Sequence, residues 1–335
     1  MSDNGRARRA TMLDVAEAAS VSYQTVSRVI NDHPSVKPET RLRVQTAIRD
    51  LRYRPDKAAR SLAARQSRTL AVITHGIECY GPLQMVVNIE HLAHDAGYDI
   101  ITANIDLQNP SALDELFSWR IDGALMIASV ASRHAEGVVN WLHGTPLIQI
   151  DNAQGAQEPS VIIDQRAGGL AAAEHLIGLG HREIALISGP VDWFGSGSRR
   201  DGWLAGLSAA GLAPAATTAA DWTSAGGYAA AAALLDAGHP FTALLVGNDQ
   251  MALGAVSALK ARGLGIPADV SVVGFDSTPE SAYFDPPLTT VWQDFAALGQ
   301  QGLEYLVELI QNPAAANGQR LIAPRLIVRA STAAR

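Results

Sequence analysis

Eight short apolar runs punctuate the chain after Thr69, at residues 70–74, 98–103, 123–127, 147–150, 161–164, 183–188, 243–247 and 270–275. They have no polar face, and most are separated by amphipathic segments long enough for a helix. A strand apolar on both sides must be covered on both sides, and helix-length spacers join parallel neighbours through right-handed crossovers. Eight such strands in about 220 residues exceed what one compact sheet needs. The pattern therefore predicts two doubly wound parallel lobes, with a ligand cleft at the carboxyl ends of the strands.

Polar residues recur where those strands should end. Asp151 follows the run 147–150, Asn248 and Asp249 follow 243–247, and Asp276 follows 270–275. Arg199, Trp222 and the run Gln293-Asp294-Phe295 fall in expected strand-to-helix loops or interlobe crossings. Carboxylates and an amide around an aromatic face suit a sugar, whose hydroxyls need paired donors and acceptors and whose C–H face packs on indole. One such residue alone is an ordinary turn or cap residue. Their repetition at successive strand ends carries the reading.

Ahead of the strands lies TMLDVAEAASVSYQTVSRVIN, residues 11–31. Two short helical patterns flank a break at Ala19-Ser20-Val21-Ser22 that leaves room only for a tight turn, as in a helix-turn-helix. Thr11 can cap the first helix, Asp14 suits its positive end, and Leu13, Val15, Ala16 and Ala19 form its apolar face. Ser22 can cap the second, whose buried side is Val26, Val29 and Ile30. The opposite side presents Tyr23, Gln24, Ser27 and Arg28. Arginine pairs with guanine and glutamine with adenine in the major groove, so these are the candidate DNA-binding residues.

A loop through Pro34 leads to Pro38, which opens a third helix expected to reach about Tyr53, with Leu42, Val44, Ala47, Ile48 and Leu51 closing a three-helix core. Arg41, Arg43, Arg49, Arg52 and Arg54 are within reach of phosphates. DKAARSLAA, residues 56–64, forms a short helical segment between domains, marginal in water by itself. The expected organisation is a helix-turn-helix DNA-binding domain at 1–55, a hinge helix and linker at 56–66, and an effector-binding domain at 67–335. Its first lobe would take about 67–164 and 293–322, its second about 165–292 and 323–332.

Charge follows the same division. Residues 1–66 hold 13 Lys and Arg against 7 Asp and Glu; the remainder holds 13 against 26. A basic head on an acidic body fits a phosphate-binding module carried by something DNA repels. The single cysteine, Cys79, excludes an internal disulfide, and no apolar run approaches the roughly 20 residues of a membrane span, so a cytoplasmic protein is expected. No GxGxxG, P-loop or GxSxG element is present. His91, His94 and Glu90 lack a third metal ligand at compatible spacing and read as surface residues. The chain is therefore expected to be no enzyme and to need no cofactor or metal. A sugar-binding protein of a transporter, or a sugar-modifying enzyme, would share the α/β body without needing the basic head.

VSYQTVSRVIN resembles the recognition helix of the LacI/GalR family of transcriptional regulators. GHREIALISGP (180–190), GNDQMALGA (247–255), DVSVVGFD (269–276) and PPLTTVWQDF (286–295) resemble the effector-binding half of the same family. The resemblance runs from Thr11 to about Arg329. It implies an α-helical helix-turn-helix head on a two-lobed, periplasmic-binding-protein-like α/β domain. It also implies a homodimeric repressor that a small sugar releases from a palindromic operator in double-stranded DNA. On that resemblance Tyr23, Gln24 and Arg28 read bases, and the segment 56–64 is a hinge helix whose Leu62 wedges into the minor groove. Asp151, Arg199, Asn248 and Asp276 hold effector hydroxyls, Trp222 and Phe295 meet its apolar face, and Gln293 stands beside Phe295. Trp222 and the Gln-Asp-Phe run point to galactosides or related glycosides. Three features depart from the galactoside pattern: Ile127 replaces an asparagine, His75 a serine, and the Gly-rich loop Phe194-Gly195-Ser196-Gly197-Ser198 before Arg199 differs. No leucine heptads follow the body, so a dimer is the expected limit.

Overall fold

The computed structural model describes residues 10–30, 33–53, 66–104, 116, 119–127, 142, 144–151, 153, 155–156, 158–315 and 318–335. The hinge segment 56–64, with Leu62, lies outside the described residues. The chain divides into two units, Met1–Ser67 and Arg68–Arg335.

In the first unit, α1 (Met12–Ala18), α2 (Tyr23–Ile30) and α3 (Pro38–Asp50) surround one small core. Thr11 starts α1 through a reciprocal capping box: its hydroxyl accepts from the Asp14 N–H at 3.3 Å, and the Asp14 carboxylate accepts from the Thr11 N–H at 2.7 Å. Ser20, at φ +52°, turns the chain, and the Val21 N–H reaches back to the Ala16 carbonyl. Ser22 then accepts from the Thr25 N–H at 3.2 Å and opens α2. Val15, Ala16, Ala19, Val26, Val29, Val44 and Ala47 fill the centre.

Three residues expected in this core stand outside it. Leu13 and Leu42 are 66% and 61% exposed, and Leu51 is 37% exposed. The first two each lie two residues from a core valine, about 200° round a helix that turns about 100° per residue. α3 ends at Asp50, short of Tyr53, and Leu51 is its C-cap rather than part of its buried stripe.

Among the described residues of the second unit, twelve strands form two six-stranded sheets. The first lobe contains β1 (Thr69–Thr74), α4 (Tyr80–Asp95), β2 (Asp99–Asn104), β3 (Gly123–Ile127), β4 (Leu147–Ile150) and β5 (Ser160–Ile163). The chain then enters the second lobe through α5 (Gln165–Gly178), β6 (Ile184–Ser188), α6 (Phe194–Ala209), β7 (Ala216–Ala219), α7 (Ser224–Asp236), β8 (Ala243–Val246), α8 (Asp249–Ala261), β9 (Ser271–Asp276) and β10 (Thr289–Trp292). It returns to the first lobe with α9 (Phe295–Gln311) and β11 (Gln319–Ile322), and ends in the second with β12 (Arg325–Ile327).

The strand orders are β11-β5-β4-β3-β1-β2 and β12-β10-β9-β8-β6-β7. Both contain the doubly wound order 2-1-3-4-5, in which the connections diverge between the first and third strands and leave a crevice at their carboxyl ends. The first sheet is parallel throughout, whereas β12 pairs antiparallel with β10. The second sheet is therefore mixed at one edge, a correction to the all-parallel expectation. An antiparallel edge strand needs no helical crossover, so the short return after β11 suffices to add it.

Each buried strand supplies both faces. Leu70 and Val72 of β1 meet α4 and α9, while Ala71 and Ile73 face the opposite cluster with Ala124 and Met126. In the second lobe Ala185 and Ile187 join α7 and α8, while Ile184 and Leu186 join α5 and α6 with Trp203 and Phe275. The eight expected strands all form, with ends shifted by no more than a residue or two. β7, β10, β11 and β12 went unanticipated. β7, β11 and β12 lie at sheet edges and are only partly covered, so they lack an apolar run, while β10 is the polar-looking Thr289-Thr290-Val291-Trp292.

One packing detail places the cleft chemistry. A Cβ on Gly169 of α5 would lie 2.2 Å from the Arg199 carbonyl oxygen, and one on Gly202 of α6 would lie 2.2 Å from that of Arg166. The paired glycines let the two helix backbones touch. That approach brings the side chain of Arg199 to the first residue of α5.

Candidate functional site

On the head, the two faces of α2 separate cleanly. Val26 and Val29 are buried, Tyr23, Gln24 and Arg28 are exposed, and Ser27 is half-buried. Three side chains able to bond base edges therefore project together from a short helix whose inner face is fixed by α1 and α3, a geometry suited to the major groove. Nothing is described for Leu62.

In the second unit, a cleft between the lobes is lined by residues from both, among them Tyr80, Asp151, Trp193, Arg199, Trp222 and Asn248. Asp276, Gln293 and Phe295 complete it. Asp151 follows β4, Trp193 follows β6, Trp222 follows β7, Asn248 follows β8, Asp276 ends β9 and Gln293 follows β10. They converge because all those strands point their carboxyl ends at the cleft.

Arg199 is at its centre. It lies on α6 rather than in a loop, and the glycine-rich segment before it forms the first turn of that helix, a correction to the sequence expectation. Its Nε–H donates to Gln165 Oε1 at 2.8 Å, Nη1 donates to the Gly247 carbonyl, and Nη2 stands 3.4 Å from Asp276 Oδ1. Its guanidinium also lies 4.0 Å from the Phe275 ring centre and 5.5 Å from that of Trp222.

The ring of bonds then closes. Gln165 Nε2 donates to Gln293 Oε1 at 2.7 Å, and Gln293 Nε2 donates to Asp276 Oδ1 at 2.5 Å. Arginine only donates and a carboxylate only accepts, so the direction of both amides is determined. Gln165 Nε2 also stands 3.3 Å from Asp151 Oδ1, which ties a first-lobe carboxylate to this ring.

Burial sets the electrostatics. It pushes the Asp276 carboxyl up to about 6, against the opposing pull of Arg199 and the Gln293 bond. Beneath it Asp249, fully buried, accepts from the Thr290 hydroxyl at 2.6 Å and the Thr278 N–H at 2.7 Å. Burial, reinforced by the nearby Asp276 charge, lifts its carboxyl to about 7. Burial also lowers Arg199, and Asp276 opposes that shift. A single guanidinium thus faces three carboxylates in a site that excludes most water.

Backbone strain concentrates in the same place. Asp151, Trp222 and Asp276 adopt φ of +59°, +72° and +104°, a region costly for residues with a Cβ. Asn248 supports one of them, its Nδ2 donating to the Trp222 carbonyl at 3.1 Å while its Oδ1 caps α8 through the Met251 N–H. The Trp222 indole lies where Gly189 has no side chain; a Cβ there would fall 2.1 Å from the ring. Trp193 meets Trp222 edge-on at 5.7 Å, and Tyr80 meets Phe295 likewise at 5.9 Å. His75 follows β1 and reaches this aromatic group through Trp193, at 6.0 Å between centroids. Ile127, a second departure, is buried inside β3.

Residues 11–56 match the family described as bacterial regulatory proteins, lacI family, and residues 173–332 match a periplasmic binding protein-like domain. The lactose operon repressor of Escherichia coli (strain K12) is 35% identical over 328 residues, covering 97% of this chain and 91% of that protein. The chain belongs to the LacI family. A second LacI-family relative, the HTH-type transcriptional repressor PurR of Proteus mirabilis (strain HI4320), is 33% identical over 97% of each chain. The crystal structure of the lac repressor dimer bound to operator and the anti-inducer ONPF matches with a TM-score of 0.91 at 35% identity, over 98% of this chain and 100% of that one. These relatives are repressors rather than enzymes, and this LacI-family chain is a DNA-binding transcriptional repressor.

Tyr80 and Trp193 in the lining of the cleft, and Gln165 bonded to Arg199, Gln293 and Asp151, escaped the sequence reading. Gln165 follows the run 161–164, so the strand-end rule that selected Asp151 and Asp276 selects it too. Trp193 follows Gly189-Pro190 after the run 183–188, and the same rule applies. Among the described residues no cluster could hold a metal ion, and no helix is long and apolar enough to cross a membrane.

Proposed function

We propose that this repressor leaves a near-palindromic operator when a galactoside or related glycoside binds between its two lobes. The observation that carries the reading is the closed ring Arg199–Gln165–Gln293–Asp276, joined to Asp151 and set under an aromatic corner. A pyranose needs adjacent donors and acceptors for its hydroxyls and a flat surface for its C–H face. Arg199, Asp151, Asn248 and Asp276 supply the first, and Trp222 and Phe295 the second.

On this reading Tyr23, Gln24, Ser27 and Arg28 read bases, and Leu62 acts as a minor-groove wedge in a hinge spanning 56–66. The first lobe comprises about 67–164 and 293–322, and the second about 165–292 and 323–332. The protein acts in the cytoplasm as a homodimer, for which exposed Leu83, Val87, Tyr228, Leu253 and Tyr283 offer apolar surface. Sugar favours one posture of the lobes and the DNA-bound state favours another; the coupling equals the difference in affinity, typically about 1–3 kcal/mol. A thermal-shift screen of mono- and disaccharides, followed by a gel shift of the operator with each hit, tests the proposal. A sugar that raises Tm and releases operator supports it. A protein that binds operator but is neither stabilised nor released by any glycoside overturns it.

A further inference from the structure

The cleft is graded from its floor to its mouth. Arg199, Asn248, Asp276, Gln293 and Phe295 are each less than a tenth exposed, whereas Trp193, Trp222, Tyr80 and His75 are half-buried. Hydrogen-bonding groups and Phe295 thus occupy the deep end, and Trp193, Trp222, Tyr80 and His75 the outer end. A single sugar ring seated on the polar floor against Trp222 and Phe295 would leave Trp193 wet.

Trp193 is the member of that outer group that spans both lobes. It caps α6 in the second lobe, meeting Trp222 edge-on at 5.7 Å. The far edge of its indole rests on the first lobe, where Gly76 adopts φ +68° and a Cβ would lie 2.8 Å from the indole Cη2. Its ring is therefore held in position from both sides of the cleft, with two perpendicular indoles forming a corner. A second ring of the ligand can lay a flat apolar face against such a corner without forming any hydrogen bond.

We propose that Trp193 forms an outer subsite for a second ring, so that the effector is a two-ring glycoside and Trp193 sets the preference for it over a monosaccharide. This rests on the glycoside reading of the inner cleft. The second ring is either another sugar or an aryl aglycone, both of which present the same flat C–H or π surface. Gly76 of the first lobe thus fixes where the indole of the second lobe stands.

The test is calorimetric titration of the full-length protein with methyl β-galactoside, lactose and phenyl β-galactoside, and with methyl β-glucoside, cellobiose and phenyl β-glucoside. Wild type should bind a two-ring member of one series more tightly than its methyl glycoside. Trp193→Ala should erase most of that advantage, lowering two-ring affinity about tenfold more than methyl-glycoside affinity, the amount expected for loss of one aromatic stacking contact. Gly76→Ala, which displaces the indole without removing it, should act in the same direction. Lactose or cellobiose responding alone identifies a second sugar; the phenyl glycoside responding alone identifies an aryl group. Equal losses for all three members of a series, or none, would overturn the outer subsite while leaving the glycoside reading intact. Absence of binding to every probe by wild type would sink both.

Discussion

Gln165 Oε1 accepts the Nε–H of Arg199 at 2.8 Å, and this bond turns two lobes' worth of polar residues into one directional ring. With its oxygen committed to arginine, Gln165 has only donors left for Gln293 and Asp151. Gln165→Leu would leave a buried guanidinium N–H unpaired and release Gln293. Hydrogen bonds to charged groups contribute about 1.5–3 kcal/mol, so effector affinity should fall about ten- to a hundredfold, with operator affinity retained. Gln165→Glu keeps the acceptor for Arg199 but loses the donor and adds a charge beside Asp151, so it should not rescue binding. Titration of each variant with the effector decides the matter; wild-type affinity in either would remove Gln165 from the mechanism.

The two buried carboxylates give the protein an unusual response to pH. Asp276 and Asp249 titrate near 6 and 7 in the folded chain but near 4 when unfolded, so between those values the folded state holds more protons. These groups therefore oppose folding increasingly as pH rises from about 4 to about 7, and no further above that. Effector binding should run the other way, since ionised Asp276 is the stronger acceptor for a sugar hydroxyl. Melting curves should show Tm falling over this window relative to Asp249→Asn, while the effector-induced rise in Tm grows. A wild-type pH profile identical to that of Asp249→Asn would contradict the assignment.

The fold was legible because its main signal is redundant. Seven strands buried on both faces and the partly covered edge strand β2 leave eight apolar runs, and the strand-end rule then points to Asp151, Asn248 and Asp276. The other three edge strands carry no such run: β7 has no buried residue, and β11 and β12 are short and half-covered, so hydrophobicity does not mark them. Arg199 is legible as a site residue but is expected in a loop, because the segment 194–198 before it is Gly-rich. In the folded chain that segment forms the first turn of α6, where small residues leave room beside Asp151 and Gln165. Tertiary packing overrode local propensity there. Leu13 and Leu42 show the opposite: apolar by type, they stand about 200° round their helices from Val15 and Val44 and so face outward.

Gly189 tests whether the indole of Trp222 must lie where it does. A Cβ at this position would fall 2.1–2.4 Å from three ring atoms, and Trp222, at φ +72° with its carbonyl held by Asn248, has little freedom to retreat. Gly189→Ala should destabilise the effector unit by about 1–3 kcal/mol, as overpacking does, and should abolish release by effector while operator binding persists. Thermal melting and a gel shift with and without sugar measure the two effects. Normal release would mean the indole plays no part in ligand binding.

Arg28 separates base reading from simple attraction to phosphate. It projects from α2 beside Tyr23 and Gln24, while Val26 and Val29 anchor the helix from within, so truncating it should leave the head folded. A bidentate arginine–guanine pair discriminates by about 1–3 kcal/mol, whereas a phosphate contact weakens binding to every sequence alike and lowers its salt dependence. Arg28→Ala should therefore cut operator affinity about five- to a hundredfold and barely change affinity for random duplex at the same salt concentration. Competition gel shifts across a salt series provide both numbers. Equal losses on the two DNAs, with a shallower salt slope, would assign Arg28 to the backbone and leave base reading to Tyr23 and Gln24.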